Sequence, residues 1–214
     1  MFKLYGFPVS NYYNMVKLTL LEKGFEFEEI IAMPSQENDF LSKSPMGKIP
    51  CLEVKEGPLS ETSVIFDFLE DLSPDVPLYP EDPYQRAKVR ELSKMIELYL
   101  ELVVRQIYGV VLFGAPVDEA LNAKVNEQLD KGVASLNRVL IFSPFAAGEV
   151  MTYADFMLYY TVTLCNMATQ KILGRDLCDD LPGLKAWLNV MDSNPLVQKV
   201  NADRDEALKK MMAK

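Results

Sequence analysis

Gly47–Leu72 reads GKIPCLEVKEGPLSETSVIFDFLEDL, and its apolar residues change period part-way along. Ile49 to Val54 is a short apolar-biased run that suits a strand. Lys55-Glu56-Gly57-Pro58 is turn chemistry, and Leu59-Ser60 resumes an extended segment. From Glu61 the spacing becomes helical, with Val64, Ile65, Phe68, Leu69 and Leu72 predicted on one face. Thr62 and Ser63 stand at the start of that helix, where hydroxyls satisfy open backbone N–H groups. A helix N-terminus has partial positive charge and unpaired donors, so it can hold a carboxylate. Pro50, at the head of the first strand, cannot donate to a ladder and belongs at an edge or in a cis turn.

Upstream, Met1–Tyr5 alternates as a short strand does, and Gly6–Asn11 is a loop. Tyr12–Lys23 is helical, with Gly24 suited to the position just past its end. Phe25–Ala32 reads as a second strand. The polar stretch from Met33 to Pro45 is a loop with a short helix around Asn38–Ser42. Downstream, Ser73–Pro83 (SPDVPLYPEDP) has four prolines and cannot continue a helix. Everything after it reads as helix: Tyr84–Phe113 with a break near Gly109 or Gly114, Asp118–Ile141, Thr152–Leu173, Pro182–Asp192 and Pro195–Met212. The expectation is an α/β domain over 1–75, a linker over 76–84 and an all-helical domain over 85–214. A right-handed crossover is expected for the first βαβ unit.

The 214 residues are 49% apolar and 25% charged, ordinary for a globular chain with a real core. A net charge of −9 argues against a nucleic-acid surface. No basic leader and no membrane-spanning apolar run is visible, which favours a cytoplasmic protein. Cys51, Cys165 and Cys178 form an odd, scattered set without a CxxC pair, so reduced thiols are expected rather than disulfides or a metal site. The chain has no histidine. That excludes Ser-His-Asp and Cys-His nucleophile systems and any imidazole base. Chemistry must come from hydroxyls, carboxylates, Lys, Arg, backbone dipoles or a reactive group on the ligand.

Gly47-Lys48-Ile49-Pro50, followed by Glu61-Thr62-Ser63-Val64-Ile65-Phe66-Asp67-Phe68-Leu69, resembles the glutathione-binding half of the glutathione S-transferase family. Gly148-Glu149 with Thr152, Ala154 and Asp155 resembles the GE-x-x-T-x-AD signature of that family's helical domain. There Thr-x-x-Asp is a capping element with no catalytic part. The resemblance covers nearly the whole chain and implies a thioredoxin-like first domain. It implies that Pro50 is cis and that the Ile49 backbone pairs with the cysteinyl part of glutathione. Glu61 and Thr62 would grip the γ-glutamyl end, with Thr62 standing where the family more often has Ser. Lys48 would lie near the glycyl carboxylate.

A glutathione thiol has a pKa of about 8.5, so using it at neutral pH requires donors that stabilise the thiolate. The family's activating residue is Tyr, Ser or Cys by class. The tyrosine position falls on Gly6 here, and Tyr5, one residue away, would point to the opposite strand face. Ser10-Asn11-Tyr12-Tyr13-Asn14 resembles instead the Ser-type loop of bacterial and theta-like members. It implies that Ser10 donates to the thiolate and that Asn11 assists. Ser10 also suits a plain helix cap. Cys51 reads as a strand residue facing the core. The resemblance puts the electrophile site at Tyr99, Val103, Tyr108, Leu112 and Phe113 on the long helix, with Tyr12 as a further wall. Such an aromatic stripe is also what a core face looks like. The implied function is conjugation of glutathione to a small hydrophobic electrophile by a homodimer, without metal, nucleic acid or membrane. Glutathione-dependent disulfide reduction, isomerisation, dehalogenation or a non-catalytic binding role are the alternatives on the same fold.

Overall fold

The computed structural model describes residues 1–213 and divides into two units, Met1–Leu78 together with residues from Asp192 on, and Tyr79–Met191.

The first unit is built on a mixed sheet of four strands, β1 (Phe2–Gly6), β2 (Phe27–Ile31), β3 (Cys51–Val54) and β4 (Gly57–Ser60), in the order β2-β1-β3-β4. β1 runs parallel to β2 and antiparallel to β3, and β3 and β4 close as a hairpin over Lys55-Glu56. Helix α1 (Asn11–Glu22) connects the parallel pair, α2 (Asn38–Leu41) is a single turn, and α3 (Thr62–Leu72) follows the hairpin. Leu4, Leu52, Val16, Leu20, Ile65, Phe66 and Leu69 are buried. On α3 the inward stripe is Thr62, Ile65, Phe66 and Leu69, an i, i+3, i+4, i+7 series. Val64 and Leu72, expected on the core face, are instead half exposed. Lys23, past the end of α1, is buried with its ammonium on Glu70 (2.7 Å) and on the Ser73 and Val76 carbonyls (3.0 and 2.7 Å).

One boundary differs from expectation. The last helix, α11 (Pro195–Met212), was assigned by sequence to the helical domain, yet it packs with the first unit. Its hold is polar as well as apolar: Asn194 Nδ2 donates to Glu22 at 2.8 Å, and Asp203 meets Lys17 of α1.

The second unit opens with α4 (Pro83–Ile96), capped by the Asp82 carboxylate with Pro83 in the first turn. The long helical pattern that follows is one continuous run with changes of pitch. A π turn spans Glu97–Glu101, then come α5 (Leu102–Val104), a 3₁₀ turn (Arg105–Ile107) and α6 (Tyr108–Phe113), which ends at Gly114 in the left-handed region. Gly109 lies inside α6. Helix α7 (Glu119–Leu136) stops short of the expected Ile141 and approaches the π turn closely: a Cβ on Gly132 would fall 2.1 Å from the Tyr99 carbonyl. Helix α8 (Tyr153–Leu173) is the buried axis of the unit, and α9 (Leu177–Asp180) and α10 (Leu184–Asp192) follow. The short α9 was not anticipated.

At the head of α8, Asp155 is fully buried and accepts four hydrogen bonds. Oδ1 takes Ala146 N–H (2.7 Å) and Trp187 Nε1–H (2.9 Å), and Oδ2 takes the backbone N–H (2.9 Å) and hydroxyl (3.1 Å) of Thr152. Burial pushes this carboxyl above its usual range, and those donors act against the push.

Candidate functional site

Strand register gathers the expected site residues. Tyr5 pairs with Cys51, and Cys51 pairs with Ser60 on its other side. The C-terminal end of β1, the N-terminal end of β3 and the C-terminal end of β4 therefore lie at one edge of the sheet. The loop carrying Ser10, the Ile49–Pro50 bond and the Glu61–Thr62 junction all leave from that edge. Gly6 pairs with Ile31, and the Ala32 amide donates to the Gly6 carbonyl at 2.9 Å. The segment that leads to Lys48 starts there too.

Ser10 is the N-cap of α1. Its Oγ accepts from the Tyr13 amide at 3.4 Å, a long bond that uses one lone pair and leaves the hydroxyl proton to donate elsewhere. The Asn14 side chain steadies this loop by donating to the Pro8 carbonyl at 2.8 Å. Asn11, in the first turn, is buried. Tyr12 is partly exposed.

The other tyrosines in reach are committed. Tyr5 donates to Glu53 at 2.9 Å, two pairs further along β3 from the site edge. Tyr13 is buried and its hydroxyl donates to Glu29; burial, with that carboxylate, holds the phenol far above its ordinary range. Its ring also explains Gly6. A Cβ on Gly6 would lie 2.4 Å from Tyr13 Cδ2, so the position where a tyrosine could stand is filled from α1.

The Ile49–Pro50 peptide is cis. Pro50 is buried, Ile49 partly exposed and Lys48 exposed, with the Lys48 amide bonded to Ser44 Oγ at 3.1 Å. Gly47, at φ 64°, faces the Ser35 carbonyl so closely that a Cβ would fall 2.1 Å from it. Glu61 has φ 69° and ψ 116°, a conformation that costs a non-glycine residue about 1–3 kcal/mol and is found at functional turns. Its side chain is exposed and makes no capping bond, while Thr62 beside it is buried. The first-turn amides of α3 are presented at the same edge, since helical geometry gives them no partner of their own.

Residues 4–77 match the family model described as glutathione S-transferase, N-terminal domain, and residues 118–189 match glutathione S-transferase, C-terminal domain. A glutathione S-transferase of Pseudomonas putida is 45% identical over 99% of this chain and 96% of its own length. The chain belongs to the glutathione S-transferase family. Among solved structures, a glutathione S-transferase from Pseudomonas fluorescens aligns with TM-score 0.77 at 26% identity, covering 91% of this chain and 96% of its own. One from Methylobacterium radiotolerans, solved in complex with glutathione sulfonate, aligns with TM-score 0.75 at 22% identity, covering 93% of each chain.

The transferase family has cysteine as well as serine and tyrosine members, so Cys51 needs placing. It is buried, its Sγ lies 3.3 Å from the Lys43 carbonyl, and burial pushes its thiol up to about 11. Such a group holds its proton at neutral pH and is a packing residue. Cys51→Ala is expected to keep transferase activity within about twofold while losing about 1 kcal/mol of stability to the cavity. Native protein treated with iodoacetamide at pH 7.5 and mapped by mass spectrometry should show Cys51 unmodified; rapid labelling there would overturn this placement.

Burial divides the expected electrophile-site stripe. Tyr99, Leu112 and Phe113 are exposed, whereas Val103 and Tyr108 are buried. Tyr108 points into the helical unit, with its hydroxyl 3.2 Å from the buried Cys165 Sγ. These two side chains belong to the unit's interior. Among the described residues no grouping of His, Cys, Asp and Glu could hold a metal ion, and no helix is long and apolar enough to cross a membrane.

The sequence reading missed Lys17. It is fully enclosed on α1, with its ammonium on Glu29 (2.7 and 2.8 Å) and on Asp203 (2.8 Å). The available signal was a lysine among the apolar positions of that helix.

Proposed function

We propose that this transferase binds glutathione along the sheet edge and activates its thiol with Ser10. The observation that carries the reading is the register of β1, β3 and β4, which brings the Ser10 loop, Ile49–Pro50 and Glu61–Thr62 to one edge. Each then has a chemical task. The Ile49 backbone faces the cysteinyl moiety, and Glu61 with the first-turn amides of α3 takes the γ-glutamyl ammonium and carboxylate. Lys48 and Asn11 complete the list, the former toward the glycyl carboxylate and the latter beside the sulfur. The Ser10 hydroxyl donates to the thiolate, and the N-terminus of α1 adds a favourable field worth about 1 kcal/mol. No side-chain base is needed, because a stabilised thiolate forms by losing its proton to solvent.

The thiolate then attacks an electrophilic carbon of a small apolar molecule. A sulfur–carbon bond forms, and the displaced electron pair leaves with a leaving group or moves onto an activated acceptor. Catalysis is thiol activation plus proximity. In this reading the enzyme is a cytoplasmic homodimer of the serine type.

Calorimetric titration of the protein with glutathione is the test. Saturable binding with a dissociation constant below about 1 mM is expected. No heat and no retention at millimolar glutathione would defeat the transferase reading and leave a family member used as a binding module.

A further inference from the structure

Four charged or phenolic groups in the first unit are joined in one chain that ends at the cap of α1. Lys17 donates all three ammonium protons, to Glu29 Oε1 (2.8 Å), Glu29 Oε2 (2.7 Å) and Asp203 Oδ2 (2.8 Å). Glu29, on the edge strand β2, takes the Tyr13 hydroxyl on the same Oε2. Tyr13 in turn is fixed at three points. Its hydroxyl is held by Glu29, its ring lies flush on Gly6 at the end of β1, and its amide donates to Ser10 Oγ. The segment between Gly6 and Tyr13 is the loop that carries Ser10. Moving the Tyr13 ring therefore shifts both the anchor of that loop and the donor that orients the serine oxygen.

We propose that Tyr13, Glu29, Lys17 and Asp203 form a positioning network that holds Ser10 in place for the thiol and makes that placement depend on α11. This inference rests on the serine-activated reading given above. The charge balance supports it: one ammonium faces two carboxylates, so Asp203 and Glu29 compete for the same cation. With Asp203 removed, the Lys17 charge rests on Glu29 alone, which weakens that carboxylate as an acceptor for the Tyr13 hydroxyl. None of the four touches the substrate in this scheme; each acts through Ser10.

The test uses Tyr13→Phe, which keeps the ring on Gly6 and cuts only the hydroxyl link, and Asp203→Ala, which cuts the link to α11 near the protein surface. Both variants should fold, bind glutathione within about twofold of wild type, and show a bound-thiol pKa raised by about half a unit, roughly threefold less thiolate at neutral pH. The thiolate is read by its ultraviolet absorbance against pH, and kcat should fall by the same factor with KM unchanged. If both variants titrate as wild type does and lose only thermal stability, the network is structural and the proposal is wrong. A wild type that binds glutathione without lowering its thiol pKa defeats the serine reading and this one together. A wild type that lowers it, with unaffected variants, defeats this one alone.

Discussion

Ser10→Ala should bind glutathione within about threefold of wild type yet lose about a hundredfold in kcat/KM, with the bound-thiol pKa raised by about two units. The size follows from what is removed. A neutral donor facing a sulfur anion in a partly enclosed site contributes about 1.5–3 kcal/mol, and two pKa units correspond to about 2.7 kcal/mol. Affinity should hold because the proposed contacts to the tripeptide come from Ile49, Glu61 and Thr62, which the substitution leaves alone. The same change removes the cap of α1 and costs about 1 kcal/mol of stability, so denaturation must be measured beside the kinetics. The Tyr13 amide bond to Oγ is long, at 3.4 Å, which puts the cap at the weak end of that range. Ser10→Thr, which keeps a hydroxyl, should recover most of the activity. A thiol pKa in Ser10→Ala equal to that of wild type would reduce Ser10 to a helix cap; Asn11 would be the next activator to test, because the Tyr5 hydroxyl is spent on Glu53.

The largest effect on stability is expected at Asp155. Asp155→Ala leaves the Ala146 and Thr152 amides and the Trp187 indole N–H without an acceptor in a buried site, and opens a cavity beside them. Losses of this kind total about 3–5 kcal/mol, a large share of the stability of an ordinary domain. Urea unfolding followed by Trp187 fluorescence suits the measurement, since that residue is the single tryptophan and is itself a partner. Asp155→Asn should cost about half as much: one amide oxygen still accepts, while the amide nitrogen is turned toward a donor. A loss under about 1 kcal/mol for Asp155→Ala would show that the loop carrying Ala146 rearranges to satisfy itself.

These two residues were legible in the sequence because their signals are local. Thr152 and Asp155 form a capping box within one turn, and Ser10 precedes a helical period directly. Gly47–Leu72 could be parsed for the same reason, although the stripe on α3 was placed one step away from Phe66. The division of the expected electrophile stripe by burial is illegible because of pitch. An i→i+5 turn at Glu97–Glu101 inserts a residue, so positions before and after it cease to share the face that a constant 3.6-residue period would give them. Tyr99 is left outside, Val103 and Tyr108 turn inward, and even Glu101 is carried into the interior, where Arg105 pairs with it at 2.9 Å. The Lys17 cluster was illegible for another reason. Its two halves are 186 positions apart, and no periodicity within α1 names a partner on α11. The placement of α11 is illegible for the same reason: a helix that follows four others in sequence is expected to pack with them, and α11 lies with the first unit instead.

That placement gives the chain an order of assembly. The first unit is written in two pieces, and its second piece is translated only after the whole of Tyr79–Met191. While the nascent chain is still short of Asp203, Lys17 has Glu29 as its one carboxylate in the cluster, and the face of α1 on which α11 will lie is uncovered. The first unit is thus begun before the helical unit and can be completed only after it, once the residues from Asp192 on have been made.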